Sequence, residues 1–275
     1  MLDSAVIAAT FTEHCLAREP NDVCFYFPRT GRRLWANENA LRKKSPYFDN
    51  LLSSDFAENS TSFDSSASTT PLDPYTFDDS DIETDSHYIH RSTLTDPERS
   101  KTFPFKTIKV TDTACSTYLS VLLWISTGYI AFAPLLSLFR GQTPIELDNL
   151  SGRRQAIDKL KEEATPGLPS PVSPKSVYRL AHLLELDDLA TLALANYRFQ
   201  LAARGAMYEL YGDVSRVYPE IQKIAMAFVV KNWKEVKGTI AMKKIEESFE
   251  GGEGDSATAL IGVKLAKNLM ERHAK

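Results

Sequence analysis

The residues best able to do chemistry in this chain are five histidines, His14, His87, His90, His182 and His273, and three cysteines, Cys15, Cys24 and Cys115. A thiol with a neighbouring imidazole is the usual start of a nucleophilic site, and three or four such ligands at close spacing make a zinc site. The spacing here supports neither. The cysteines stand far apart, with no CxxC and no histidine at metal-ligand distance, so no disulfide framework and no metal site is encoded. His14 and Cys15 are adjacent, and adjacency in sequence does not aim one side chain at the other. His87 and His90 fall in a polar stretch unsuited to fixed catalytic geometry, and His182 lies in an apolar helical pattern where packing is the expected role. The chain has no Gly-rich phosphate loop, no GxSxG and no HExxH. The sequence therefore assigns no catalytic residue, no cofactor and no metal.

Composition fits that result. The 275 residues are 43% hydrophobic and 25% charged, ordinary for a globular protein of one large or two small domains. Lys+Arg 32 against Asp+Glu 36 gives −4, so the cationic excess that drives binding to phosphate backbones is missing and nucleic acid is not the expected partner. Asp3 stands where an export signal needs a cation. A run without charges from Thr113 to Phe139 has the hydropathy of a membrane span, but Ser126, Thr127 and Gly128 interrupt it and Pro134 follows. It reads as helix, turn and short strand, with no membrane partner, and the expected location is cytoplasm, nucleus or both.

The elements that would carry a site follow in order. Residues 22–28 and 32–36 read as a hairpin across Arg29-Thr30-Gly31. Ala40 to Lys44 reads as a short helix, and Ser45 caps a second with Pro46 at its first position and Tyr47, Phe48, Leu51 and Leu52 on one face. Between Glu58 and Lys101 ten acidic residues face only Arg91, Arg99 and Lys101, a local net of −7 rich in Ser, Thr and Pro. Such a stretch is expected to be a disordered insertion, about residues 57–101, and deleting Asn59 to Ser100 is expected to leave the melting temperature nearly unchanged.

Order returns with a strand at Phe103 to Val110 and a helix to about Thr127. A second insertion, about 138–172, reads as a surface loop with a helical fragment near Arg153 to Ala164. The remainder is helical: Ser173-Pro174 opens one helix, Asp187 caps the next, Gly205 reads as its left-handed terminator, and Pro219 starts another. Lys231, Lys234, Lys237, Lys243 and Lys244 read as a solvated face.

Taken together, Asp22-Val23-Cys24-Phe25, Arg33-Leu34-Trp35-Ala36, Leu41, Ser45-Pro46-Tyr47-Phe48 and Leu51-Leu52 resemble the opening of a BTB (POZ) domain. Ile108-Lys109-Val110-Thr111-Asp112 is similar to that family's central strand, and Leu123-Trp124-Ile125-Ser126-Thr127-Gly128-Tyr129-Ile130 to its helix-and-turn element. Ser173 to Ala203 resembles the closing helix pair, and residues 206–250 are similar to a helical extension on BTB proteins of fungi. The resemblance implies an α+β fold, a small mixed sheet flanked by short helices over 1–205, and an all-α extension over 206–275. It implies a non-enzymatic protein–protein interaction module, usually a homodimer, that acts as an adaptor joining a client to a cullin-RING ubiquitin ligase complex. The alternative is a BTB scaffold in transcription regulation without cullin binding.

Residue roles follow from the same likeness. A hydrophobic-x-Glu motif after the second helix contacts the cullin in such adaptors, and Phe56-Ala57-Glu58 stands there, so Phe56 and Glu58 are the expected partner-binding residues. Phe56 closing the helix against the core is the competing role. Val6, Ile7 and Phe11 lie where relatives carry an apolar dimer helix, and Asp22 occupies the acidic half of a charge pair that such dimers bury. The basic half falls near Glu38. Two buried acids repel, so either Glu38 turns to water or Asp22 pairs with Arg32, Arg33 or Arg42.

Overall fold

The computed structural model describes residues 4–12, 21–28, 30–53, 58–60, 81, 85, 105–140, 146–252 and 256–273. The fold is α+β: one small mixed sheet, with helices making up most of the rest. Two compact units divide the chain, the first holding 1–133 and 157–193, the second 134–156 and 194–275. The division falls within the helix Asp187–Gln200.

The sheet of the first unit begins with a hairpin, β1 (Val23–Phe27) and β2 (Arg32–Ala36). Gly31, at φ 65°, takes the left-handed turn position between them, which costs little only without a Cβ. β3 (Glu58–Ser60) and β4 (Phe105–Lys109) complete four strands in the order β2-β1-β4-β3. β1 pairs with β2 antiparallel and with β4 parallel, so a long crossover must join β1 to β4. Alternation along β1 sends Cys24 to one face, where it packs with Trp35 and Phe105, the two rings 5.3 Å apart. Phe25 and Phe27 point to the other face and meet Tyr118, at 5.4 and 5.6 Å.

The crossover opens with α2 (Glu38–Lys44) and α3 (Pro46–Ser53). Asn37 caps α2 by accepting from Ala40 N. Ser45 is fully buried and does two jobs: its Oγ accepts from Phe48 N at 3.2 Å, capping α3, and donates to Leu184 O at 2.6 Å. That hydroxyl ties residues 139 positions apart. α4 (Cys115–Thr127) is apolar on several sides and buried over most of its length. It ends after 13 residues because Gly128 takes φ 76° and donates its N–H to Trp124 O. Among the described residues no helix is long and apolar enough to cross a membrane.

Beyond α4, Phe132 and Val172 form a single parallel bridge. The segment expected to be a surface loop carries an 18-residue helix, α5 (Glu146–Glu163), in which Arg153 and Ile157 are buried. Pro144, Pro166, Gly167, Pro169 and Pro171 flank this helix and Gly152 lies within it, a spacing that reads as loop. α6 (Pro174–Leu183) and α7 (Asp187–Gln200) follow.

The second unit packs α8 (Ala203–Tyr211), α9 (Asp213–Val217), α10 (Pro219–Lys231), α11 (Trp233–Val236), α12 (Ile240–Glu250) and α13 (Ser256–His273). Met207, Leu210, Ala225, Val229 and Ile261 are central to its core. Gly205 does not terminate a helix. It lies inside α8, where a Cβ would sit 2.8 Å from the backbone oxygen of Ser137, so the residue is there for a close approach. Arg153 donates from Nε to Pro134 O at 2.9 Å, which satisfies part of its buried guanidinium.

Candidate interaction surfaces

α1 (Ser4–Phe11) turns its small residues inward. Ala8 and Ala9 are buried against α4 and against the turn at Gly167, where the two backbones approach so closely that a Cβ on Gly167 would lie 3.4 Å from that of Ala9. The larger side chains face outward: Val6 is 41% and Ile7 48% exposed, and Phe11 is half-buried. A helix whose bulk points to solvent and whose alanines point to the core has its apolar faces reversed relative to an ordinary surface helix. Val6, Ile7 and Phe11, the residues expected to serve self-association, thus lie on one element, with Val6 and Ile7 open to a partner.

Asp22 directly precedes β1, and among the described residues its carboxylate is bonded to α2's first turn rather than to Arg32, Arg33 or Arg42. Its Oδ2 accepts from Asn37 Nδ2 at 3.0 Å and from Glu38 N at 3.3 Å, which places a negative charge at the first turn of α2. Glu38 does not turn to water. Its Oε1 lies 2.9 Å from Lys106 Nζ and 3.4 Å from an Arg42 nitrogen. Lys106 also donates to Leu52 O at 2.6 Å, so one ammonium on β4 joins the first turn of α2 to the last turn of α3. The basic partner of this edge comes from a strand some 68 positions downstream, a distance no local pattern can bridge. Arg42 extends the network to Asp49 at 2.8 Å and to Ser53 Oγ at 2.8 Å. The carboxylates beside it raise its already high pKa.

Of the expected cullin-contact pair, Phe56 lies outside the described residues, and Glu58 opens β3 opposite Thr107.

Sequence reasoning missed one constellation altogether. Asp81 and Asp85, inside the stretch expected to be disordered, are buried. Asp81 accepts from Ser173 N at 2.8 and 3.0 Å and from Thr117 Oγ1 at 3.0 Å. Asp85 accepts from Ser116 N at 3.2 and 3.3 Å. Ser116 N is a first-turn donor of α4, whose N-cap residue is Ala114, whereas Ser173 is itself the N-cap residue of α6 and its side chain makes no cap bond. Asp85 therefore caps α4, and Asp81 holds the residue that opens α6. Desolvation pushes the Asp85 carboxyl up to about 6, against the bonds from Ser116, which favour its charged form. The signal in the sequence is slight: Ala114 cannot cap α4, while Ser173 is a favoured cap residue by type and gives no hint that a distant carboxylate holds its N–H.

His14 and Cys15 lie outside the described residues. Cys24 and Cys115 are buried free thiols, and burial pushes Cys115 up to about 12 despite its contact with Arg32. His182 is exposed on α6 and stacks on Tyr178 with centroids 5.9 Å apart, rather than packing in the core as its apolar neighbours suggested. Tyr197 is buried in the second unit near Glu209 and Ser215, and desolvation raises its pKa well above the ordinary value. No group of three or more potential metal ligands occurs among the described residues. No family model matches the sequence, and no curated protein matches it.

Proposed function

We propose that the chain is a non-enzymatic interaction module of the BTB/POZ type, which self-associates through its first unit and joins a client to a cullin-RING ubiquitin ligase in the cytoplasm or nucleus. The observation that carries the reading is the exposure of Val6 and Ile7 on a helix whose alanines are buried. Large aliphatic side chains held outward on a docked helix gain about 1 kcal/mol each when a second surface removes their remaining exposed area from water. A two-fold pairing uses the same patch twice.

Two further features support it. The hairpin, helix pair, returning parallel strand and glycine-ended helix occur in the order expected of that family. Cys115 and Tyr118, whose pKa values burial raises, are packing residues rather than members of an open polar cleft. Light scattering on the purified protein, alone and mixed with a cullin N-terminal domain, tests the proposal. A dimer that takes up the cullin supports it, and a monomer that stays unbound at micromolar concentration overturns it.

A further inference from the structure

In the second unit, α10 and α13 enclose a groove of about 500 Å³. Its α10 wall is Lys223, Met226, Ala227, Val230 and Lys231, the spacing of one helical face, and Asn268 and Arg272 close it from α13. Met226 is buried at its floor and Ala227 leaves room above it. Three lining residues are cationic and none is acidic, in a chain whose formal net charge is −4. Arg272 donates to the carbonyls of Val230 and Lys231, capping α10, whereas Lys223 and Lys231 are exposed.

We infer that this groove binds an acidic amphipathic peptide segment of a partner protein, its apolar side chains on Met226, Ala227 and Val230 and its carboxylates toward Lys223 and Lys231. The α10 wall spans about 12 Å, two turns of a bound helix, which lays one i, i+3/i+4 apolar pair along the floor. A concave apolar floor admits inserted side chains, which a flat lipid surface does not offer, and no aromatic ring lines it for stacking a nucleic-acid base. The inference does not rest on the adaptor reading, because the site lies wholly in the second unit and its occupant is measured without cullin.

The test uses the full chain and a fluorescein-labelled 14-residue peptide with leucine at helical i, i+3, i+4 and i+7 positions and glutamate elsewhere, read by fluorescence polarisation. Saturable binding is expected. A matched leucine/lysine peptide should bind at least tenfold more weakly, and Lys223→Glu with Lys231→Glu should weaken the acidic peptide at least tenfold. Both lysines are exposed, so unchanged thermal unfolding of the double variant excludes loss of fold. Equal binding of the two peptides, or wild-type binding by the double variant, overturns the inference. So does binding of phosphatidylserine vesicles through Lys223 and Lys231 with no binding of the peptide, which would assign the groove to an anionic membrane surface.

Discussion

Lys106 Nζ lies 2.9 Å from Glu38 Oε1, and that pair neutralises the acid that sequence pattern left facing Asp22. Both side chains are about one quarter exposed, so the pair is neither a solvated surface bridge nor a fully desolvated one. Lys106→Met leaves Glu38 with only the longer Arg42 contact and removes a donor from Leu52 O. A loss of ~1–2 kcal/mol is expected by urea unfolding, with Glu38→Gln costing less because an amide oxygen still accepts. A double-mutant cycle should return a coupling above ~0.5 kcal/mol, and a coupling near zero would show that the two side chains act independently.

Asp81→Ala removes the acceptor for Ser173 N and Thr117 Oγ1 and leaves buried donors unpaired, at a cost of ~1–3 kcal/mol. For a chain of this size that corresponds to roughly 2–4 °C of melting temperature per kcal/mol. Deleting residues 59–100 removes both buried carboxylates, so the structure reverses the expectation that this deletion is silent. Differential scanning calorimetry decides it: a melting temperature unchanged by the deletion would mean that Asp81 and Asp85 contribute nothing to stability.

Asp85 gives a pH dependence of defined sign. Its carboxyl is held up at about 6 when folded, against an ordinary 3.8, so the unfolded state releases its proton first as pH rises. The associated stability is fully present below about 3.8 and is lost as pH rises through about 6. Two pH units correspond to about 3 kcal/mol, so the wild-type protein should lose up to that amount relative to Asp85→Asn between pH 4 and pH 7.5. The amide still accepts from Ser116 N and carries no charge to desolvate. Equal pH dependence of the two proteins in urea unfolding would contradict this.

How far the fold was legible depended on range. The hairpin was readable because Gly31 alone takes a positive φ cheaply, and α3 was readable because Ser45 and Pro46 act within one turn of their own position. Gly128 ended the apolar helix for the same local reason. Lys106 with Glu38, and Asp81 with Ser173, were not readable, since each joins elements that only the tertiary fold brings together. Gly205 was misread because a glycine needed for close packing and a glycine needed for a left-handed turn look alike in sequence; only the nearby Ser137 oxygen separates them. The outward placement of Val6 and Ile7 was half legible: the apolar run was visible, but which side it turned to the core was decided by the small contacts of Ala8 and Ala9.

If the adaptor reading is right, Phe56→Ala with Glu58→Ala should leave secondary structure by circular dichroism unchanged and abolish retention of a cullin N-terminal domain. An aromatic anchor with a neighbouring charge is a common way to concentrate binding energy, and losing it typically costs 2 kcal/mol or more, on the order of a thirtyfold loss of affinity. Retention at wild-type strength would remove these two residues from the partner surface.

Self-association through α1 is central to the proposed function, and its most direct test is multi-angle light scattering on the wild-type chain and on Val6→Glu with Ile7→Glu. Both positions are already exposed, so the substitutions put charge at the surface and leave the buried Ala8 and Ala9 contacts in place. The account predicts twice the 30.8 kDa chain mass for wild type and a single-chain mass for the variant, with equal melting temperature at concentrations where both are monomeric. A monomeric wild type, or a dimer that survives the two glutamates, would contradict it.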